Sequence, residues 1–412
     1  MKKFVILLLC FIACMSTVAS ADGDVRLVTN ESELRDAVTR GGNIQLTEDI
    51  VLFKSLIVRK DVNVDLNGHV LTIDYDIYST VSSNIFIVNC ADGNLQITDS
   101  RPDAAHENFD STLPRGGVIL GDIDWWDDYG AAIHISDGGK ACLAGGTVCR
   151  CTASYGAISI DGGSEFTLDG GTICDCNGYF GGGVAVIDGT FEMTGGTISG
   201  CSTAQLTDGQ GGGVYVKNGT FIMSGGIIEN CTSRERGIYA RGGGVHMCGG
   251  TRFVMTGGRI RNCRALYGGG VYVGINSLLD IDGGVVESPV LNSGVISGEG
   301  IFTDTVTNNG IIASGTFTDK VDQRGVVISG TFCGKYDDRG MAEGIVFTCR
   351  DEKSTYILCA RPGSTVSELS VPYKSGWSFD SWRDSDGKVL ASDVPLFNGD
   401  TVYASWALLP QS

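Results

Sequence analysis

A Gly-Gly pair with a branched apolar residue three places after its first glycine starts at positions 145, 170, 195, 225, 257 and 283, at spacings of 25, 25, 30, 32 and 26 residues. A constant core with variable spacing marks stacked units that carry their insertions in loops. Units of this length are too short for propeller blades, which need about 40 residues. Strand side chains alternate between two faces, so each unit can be read in columns. Four and two residues before each pair stand Ala141 and Leu143, Phe166 and Leu168, Phe191 and Met193, Phe221 and Met223, Phe253 and Met255, Leu279 and Ile281, all apolar. Between them runs a mixed column, Cys142, Thr167, Glu192, Ile222, Val254 and Asp280, expected to face solvent. Three residues after the first glycine, Val148, Ile173, Ile198, Ile228, Ile260 and Val286 form a second buried column. A third strand, Gly-Gly-Gly-Val-x-Val, recurs at 182–186, 212–216, 243–247 and 269–273, with weaker copies at 130–135 and 156–160.

Three short strands per unit, each stacking on its own copy, predict an all-β fold: a right-handed, three-sided parallel β-helix. Glycine makes up 61 of 412 residues, about twice its usual share, and the excess keeps register, as corner residues would. With ten or so coils the rod would be about 50 Å long.

A solenoid leaves an open strand edge at each end unless it is capped. Asn30, Glu33 three residues later, an apolar face of Leu34, Ala37 and Val38, and Gly41 predict a short capping helix. The first coil follows, with strands at 44–46, 55–58 and 62–66. The polar, proline-containing stretch 91–128 reads as one large surface loop. Past 290 the period falls to 15 or 16 residues at Gly294, Gly310 and Gly325, which predicts narrower coils.

Residues 4–14 form an apolar run behind Met1-Lys2-Lys3, and Ala19-Ser20-Ala21 supplies small residues for cleavage, as in a secretory signal peptide. Lipid attachment at Cys14 is the alternative. The run is too short to span a bilayer, so no transmembrane segment is expected in the mature chain. Cleavage removes two lysines and takes the net charge from −18 to −20. That excludes nucleic acid and anionic membranes as natural partners and suits neutral or cationic sugars or divalent cations. Secretion, extracellular or at the cell surface, and a monomeric state are expected.

Thirteen cysteines remain after cleavage, in a compartment that permits disulfides. Cys151, Cys176, Cys201, Cys231 and Cys263 form a ladder, six residues after each Gly-Gly start, and read as small core residues at a tight corner. Cys149 and Cys174 occupy an outward column one coil apart and are candidates for a disulfide. The four histidines do not join the ladder, so no metal site is read; calcium is the one cofactor left open.

The last part of the chain differs in composition. Trp377, Trp382 and Trp406 fall within residues 371–406, with Pro372, Gly376, Phe379, a turn at Asp384-Ser385-Asp386-Gly387 and a closing Val402-Tyr403-Ala404-Ser405-Trp406. This stretch resembles the Listeria–Bacteroides repeat, the internalin B-repeat type of small β-grasp-like module. The resemblance covers about 65 residues, with Trp377 where tyrosine is usual. It implies a first hairpin holding Cys349 and Cys359, which could pair. Asp384–Gly387 lacks the distal glutamate of a calcium loop and reads as a plain turn. The repeats over 24–340 resemble the right-handed β-helix, pectin-lyase-like family, and in particular its glycine-rich, adhesin-like surface proteins. The expected organisation is a signal peptide over 1–21, the capped β-helix over 22–290, its narrower coils over 291–341 and the small module over 342–412.

The fold resemblance implies either polysaccharide lyases and hydrolases or noncatalytic surface proteins. Catalysis on this scaffold would need acids gathered on one face. The outward position of the third strand reads His134, Ser159, Ala185, Tyr215, His246 and Tyr272, with no carboxylate. Glu192 and Asp280 stand three coils apart, about 14 Å. The leading expectation is therefore a noncatalytic, adhesin-like protein binding glycan or extracellular matrix; a glycan-cleaving enzyme and a passive spacer are the alternatives. Candidate ligand-binding residues are Tyr215, His246 and Tyr272, as an exposed aromatic strip, and Trp125 and Trp126 among the acids of 122–128. No catalytic residue is named.

Overall fold

The computed structural model describes residues 24–412 except 75–83, 122–130, 204–208, 234–239 and several stretches near the C-terminus: 328–329, 333–335, 339–344, 351–354, 361–364, 369–376, 385, 396–400 and 409–412. The chain winds as a three-sided parallel β-helix. Successive coils place strands on three faces, and each strand pairs in parallel with its counterpart one coil on. On the third face, twelve strands run from Leu56–Val58 to Tyr336–Asp338. At one strand spacing per coil, that ladder is about 53 Å long.

The columns read from the sequence coincide with the observed register. Phe166, Phe191, Phe221 and Phe253 pair rung to rung on the first face. Their rings stack with centroids 5.7, 4.7 and 4.3 Å apart, all fully buried. Ile173, Ile198 and Ile228 form the matching column on the second face. One coil contributes too little apolar surface to hold itself together, so each is stable only against its neighbours. The mixed column, Thr167, Glu192, Ile222 and Val254, stands half-exposed on the outside.

The corners explain the glycines and the cysteines together. At Gly226, φ is +80° and a Cβ would lie 2.5 Å from the Gly195 carbonyl oxygen, so only glycine fits. At Gly213, a Cβ would lie 2.8 Å from the Gly244 oxygen and 3.2 Å from Cys231 Sγ. The cysteine ladder fills the space behind these corners, and the Cys231 thiol donates to the Glu229 carbonyl at 3.3 Å. Cys151, Cys176, Cys201, Cys231 and Cys263 are all buried and free. Burial, together with the thiols one coil either way, pushes the Cys176 thiol up.

The N-terminal cap is the helix Glu31–Arg40. Asn30 Oδ1 accepts from the Glu33 amide, Glu33 reaches back to the Thr29 amide, and Leu34, Ala37 and Val38 cover the end of the core. Arg35 ties this helix to the first coil by donating to the carbonyls of Lys54 and Ser55, both at 2.8 Å. Among the described residues no helix is long and apolar enough to cross a membrane.

The stretch 91–128 is not a single loop. Asn94–Thr98 and Val118–Leu120 are ladder strands, and the residues between them form an insertion; 122–128 lie outside the described residues. Asp99 closes the insertion at its base by accepting from the amides of Gly68, Arg101 and Gly117. Inside it, the buried His106 bonds the Gly116 carbonyl through Nε2 at 2.7 Å. The insertion also corrects the reading of Cys149 and Cys174. They are register partners, but their column is buried here, packed with Val70, Leu113 and Val118, and both thiols are free.

Beyond 290 the coils shorten while keeping three strands each: Val290–Asn292, Val295–Ser297 and Ile301–Phe302 make one turn, and Val306–Asn308, Ile311–Ile312 and Thr316–Phe317 the next. Phe302, Phe317 and Phe332 stack through the narrow core. Asn292 donates to Asn308, and Asn308 to Gln323, in a buried amide ladder. The helix ends against the C-terminal strands, with Gly330–Phe332 antiparallel to Thr355–Ala360. Those strands are ordered Thr355–Ala360, Ile345–Arg350, Thr401–Leu408, Trp377–Arg383, with the central pair parallel. In the first hairpin Cys349 stands opposite Tyr356, and Cys359 opposite Val346. The side chains of both cysteines lie outside the described residues, and with them the pairing expected from the sequence. Asp384 closes the turn before Lys388, as a plain hairpin turn would.

Candidate functional site

Outward side chains of the third face form one column, in which His134 pairs with Ile87 and Ser159, Ser159 with Ala185, and Tyr215 with His246, which pairs with Tyr272. The column divides by side-chain size. From Tyr215 to Tyr272 the column holds rings; at Ser159 the side chain is small and lines a hollow.

The aromatic half is in register but does not form an exposed strip. Tyr215 and His246 stack at 5.4 Å, His246 and Tyr272 at 4.9 Å, yet the three are only 6 %, 1 % and 9 % exposed. A second layer of chain covers them. Phe180 leans on Tyr215 at 5.0 Å, and the Arg241 guanidinium lies 5.0 Å above the Tyr272 ring. Burial first, and then the Arg241 charge, hold His246 neutral, its pKa lowered to about 3. Among the described residues its Nδ1 has no hydrogen-bond partner. The Tyr215 hydroxyl, pushed up by burial, accepts from Cys248 Sγ at 3.4 Å. These rings are therefore a second core outside the β-helix and unavailable to a ligand. Trp125 and Trp126 lie outside the described residues.

The hollow is the better candidate. A cavity of about 440 Å³ opens over the third face, floored by His134 and Ser159 and walled by Asn84, Tyr155 and Asp161, with Ile87 and Ile187 at its apolar margins. That volume is within the range of small-ligand sites. Each polar group is held by a different device. Asn84 is buried, and its Oδ1 accepts from the Ala131 amide at 2.9 Å. Tyr155 leaves 37 % of its surface open and rests on Phe180, with centroids 5.6 Å apart and planes 22° apart. Asp161 follows the strand Ile158–Ile160, and its amide bonds the Ile135 carbonyl at 2.9 Å, which fixes the turn.

His134 Nε2 is 3.9 Å from Asp161 Oδ2. That is close enough for charge attraction and too long for a direct hydrogen bond, so both groups keep hydrogen-bonding capacity for a third polar group beside them. Burial raises the pKa of Asp161; His134 acts against this shift and the nearby Asp137 adds to it. Asp161 is missing from the outward column because it sits in the turn after the strand. It follows Ser159 by two residues, so alternation carried past the strand end assigns both to one face. Among the described residues no group of three or more His, Cys, Asp or Glu is arranged to hold a metal ion. The arrangement can hold a polar, hydroxyl-rich molecule: an aromatic ring for its apolar face, a carboxylate, an imidazole and a hydroxyl for its edge.

No protein-family model, curated protein or solved structure matches the chain.

Proposed function

We propose that this is a noncatalytic, exported surface protein, adhesin-like, that presents a rigid β-helix and binds carbohydrate in the hollow over His134, Ser159 and Asp161. The observation that carries the reading is the pairing, in one cavity of about 440 Å³, of an open tyrosine ring with a histidine and a carboxylate that lie side by side without a direct hydrogen bond. Sugars present a C–H face and a hydroxyl edge, and an aromatic face with planar polar groups answers both. The resemblance of the repeats to pectin-lyase-like surface proteins, and of residues 371–406 to the Listeria–Bacteroides repeat, supports a setting outside the cell. So does the leader-like sequence of residues 1–21. The net charge of −18 disfavours polyanions and suits neutral or cationic sugars.

The test is a glycan array probed with the wild-type protein and with Tyr155→Ala and Asp161→Asn. A discrete set of neutral or amino sugars should bind, and each variant should weaken that set by about tenfold, the effect of removing one good contact. Binding that neither variant changes would place the ligand elsewhere.

One observation favours a second reading, a glycan-cleaving enzyme: the raised Asp161 carboxyl beside His134 is suited to proton transfer. Release of reducing ends or unsaturated products from a polysaccharide panel, abolished in Asp161→Asn, would favour that reading over binding alone.

A further inference from the structure

Tyr155, Phe180 and Tyr267 occupy one position of the repeat, ten residues after the first glycine of the pairs at 145, 170 and 257. Each directly precedes a glycine with positive φ, at 156, 181 and 268; in the two longer coils Gln210 and Arg241 precede the equivalent Gly211 and Gly242. Bridges join this position from coil to coil, Phe180 to Gln210, Gln210 to Arg241 and Arg241 to Tyr267, while Phe180 bonds back to the Ser154 carbonyl and stacks on Tyr155. The result is a fourth ladder on the flank of the third face, outside the ring core of Tyr215, His246 and Tyr272. It spans four strand spacings, about 19 Å.

Tyrosines stand at both ends, 37 % and 42 % exposed, and Phe180, Gln210 and Arg241 are half-buried between them. Each tyrosine walls a cavity. Tyr155 belongs to the hollow described above. Tyr267 belongs to a second cavity of about 410 Å³, at the step where the wide coils give way to the narrow ones, together with Leu266, Leu291, Thr307, Asn309 and Arg324. The second cavity repeats the composition of the first: an open tyrosine, an apolar margin and planar or hydroxylated polar side chains.

We propose that the ligand is a linear polysaccharide lying parallel to the axis of the β-helix, with one end of the bound stretch on Tyr155 and the other on Tyr267. This rests on the carbohydrate reading of the first cavity and specifies the form of its ligand. A pyranose unit advances an extended chain by about one strand spacing, so the ladder matches a run of about five units. Gln210, half-buried, lies level with the middle of that run, while the Arg241 guanidinium is engaged on the Tyr272 ring beneath it. Joining two modest sites through one ligand raises affinity without new contacts elsewhere, because the second cavity is filled at the effective concentration set by the connecting units.

The test is calorimetry with neutral β-1,4-linked oligosaccharides of increasing length, from disaccharide to hexasaccharide, made from the sugar that the array identifies. Affinity should climb steeply once the oligomer is long enough to reach both tyrosines, then level off. Tyr267→Ala, at an exposed side chain, should remove about tenfold from the longest oligomers and leave the disaccharide unchanged. Tyr155→Ala should weaken every length. Equal affinity for short and long oligomers, or long-chain binding indifferent to Tyr267→Ala, would overturn the spanning ligand while leaving the first cavity as a carbohydrate site. Absence of binding at every length would overturn both.

Discussion

Replacing Phe221 by alanine strikes the β-helix where its packing is most concentrated. The ring is fully buried, stacked 4.7 Å from Phe191 and 4.3 Å from Phe253. A phenylalanine removes on the order of 200 Å² from water, about 5 kcal/mol at 25 cal/mol per Å² and an upper bound. Alanine returns part of that, and the cavity removes one partner from each neighbouring ring, so the expected loss is about 3–5 kcal/mol. Because each coil depends on its neighbours, the damage should spread, and denaturant unfolding followed by circular dichroism should show an earlier midpoint or a split into two transitions. Glu192→Ala is the control. Its side chain is half-exposed on the outward column one coil away, and its replacement should cost less than about 0.5 kcal/mol. If Phe221→Ala and Glu192→Ala shifted the midpoint equally, the in-register column of rings would be refuted as the source of stability.

The neutral His246 makes stability depend on pH. The folded pKa of about 3 lies below the unfolded value near 6.5, so between these limits the unfolded chain takes up a proton that the folded one refuses. This contribution is fully present above about pH 6.5 and is lost as pH falls, by up to about 1.4 kcal/mol per unit; His246→Phe should flatten that slope, and an unchanged slope would contradict the burial. Asp99→Ala should strand the amides of Gly68 and Gly117, cost about 2–3 kcal/mol and open the insertion around Phe109 to limited proteolysis, while leaving the distal coils protected. Alkylation in denaturant without reductant should label Cys149 and Cys174 alongside the cysteine ladder; a disulfide-linked peptide carrying both would contradict their free, buried state.

Most of the architecture is legible in the sequence because a solenoid turns long-range contacts into local arithmetic. Phe191, Phe221 and Phe253 share a repeat position and therefore share a column, and the same count finds the narrow coils past 290. The misreadings arise where the chain adds a layer that the repeat count does not contain. Tyr215, His246 and Tyr272 follow the outward alternation of their strands, but Phe180 and Arg241 fold over them, and nothing within those strands signals the cover. Cys149 and Cys174 are outward by the same rule and are covered by the insertion that carries Leu113. Asn94–Thr98 alternates regularly through Leu95 and Ile97, but the polar, proline-containing segment that follows it carries no such pattern. Asp161 lies one residue beyond the strand Ile158–Ile160, outside the columns that the repeat defines.

One register thus stacks the core and brings His134, Ser159 and Asp161 to the same cavity, so distances along the rod test the whole account. Spin labels on keto-bearing unnatural residues at outward positions of the first face provide the ruler. From Asn63, Glu192 is four strand spacings away and Asp280 seven, by the observed pairings. Pulsed electron paramagnetic resonance should return about 19 Å and about 34 Å, increasing in proportion to the number of coils. Distances that fail to grow with coil number, or that place Asp280 nearer to Asn63 than Glu192 is, would show that the coils do not stack in this register.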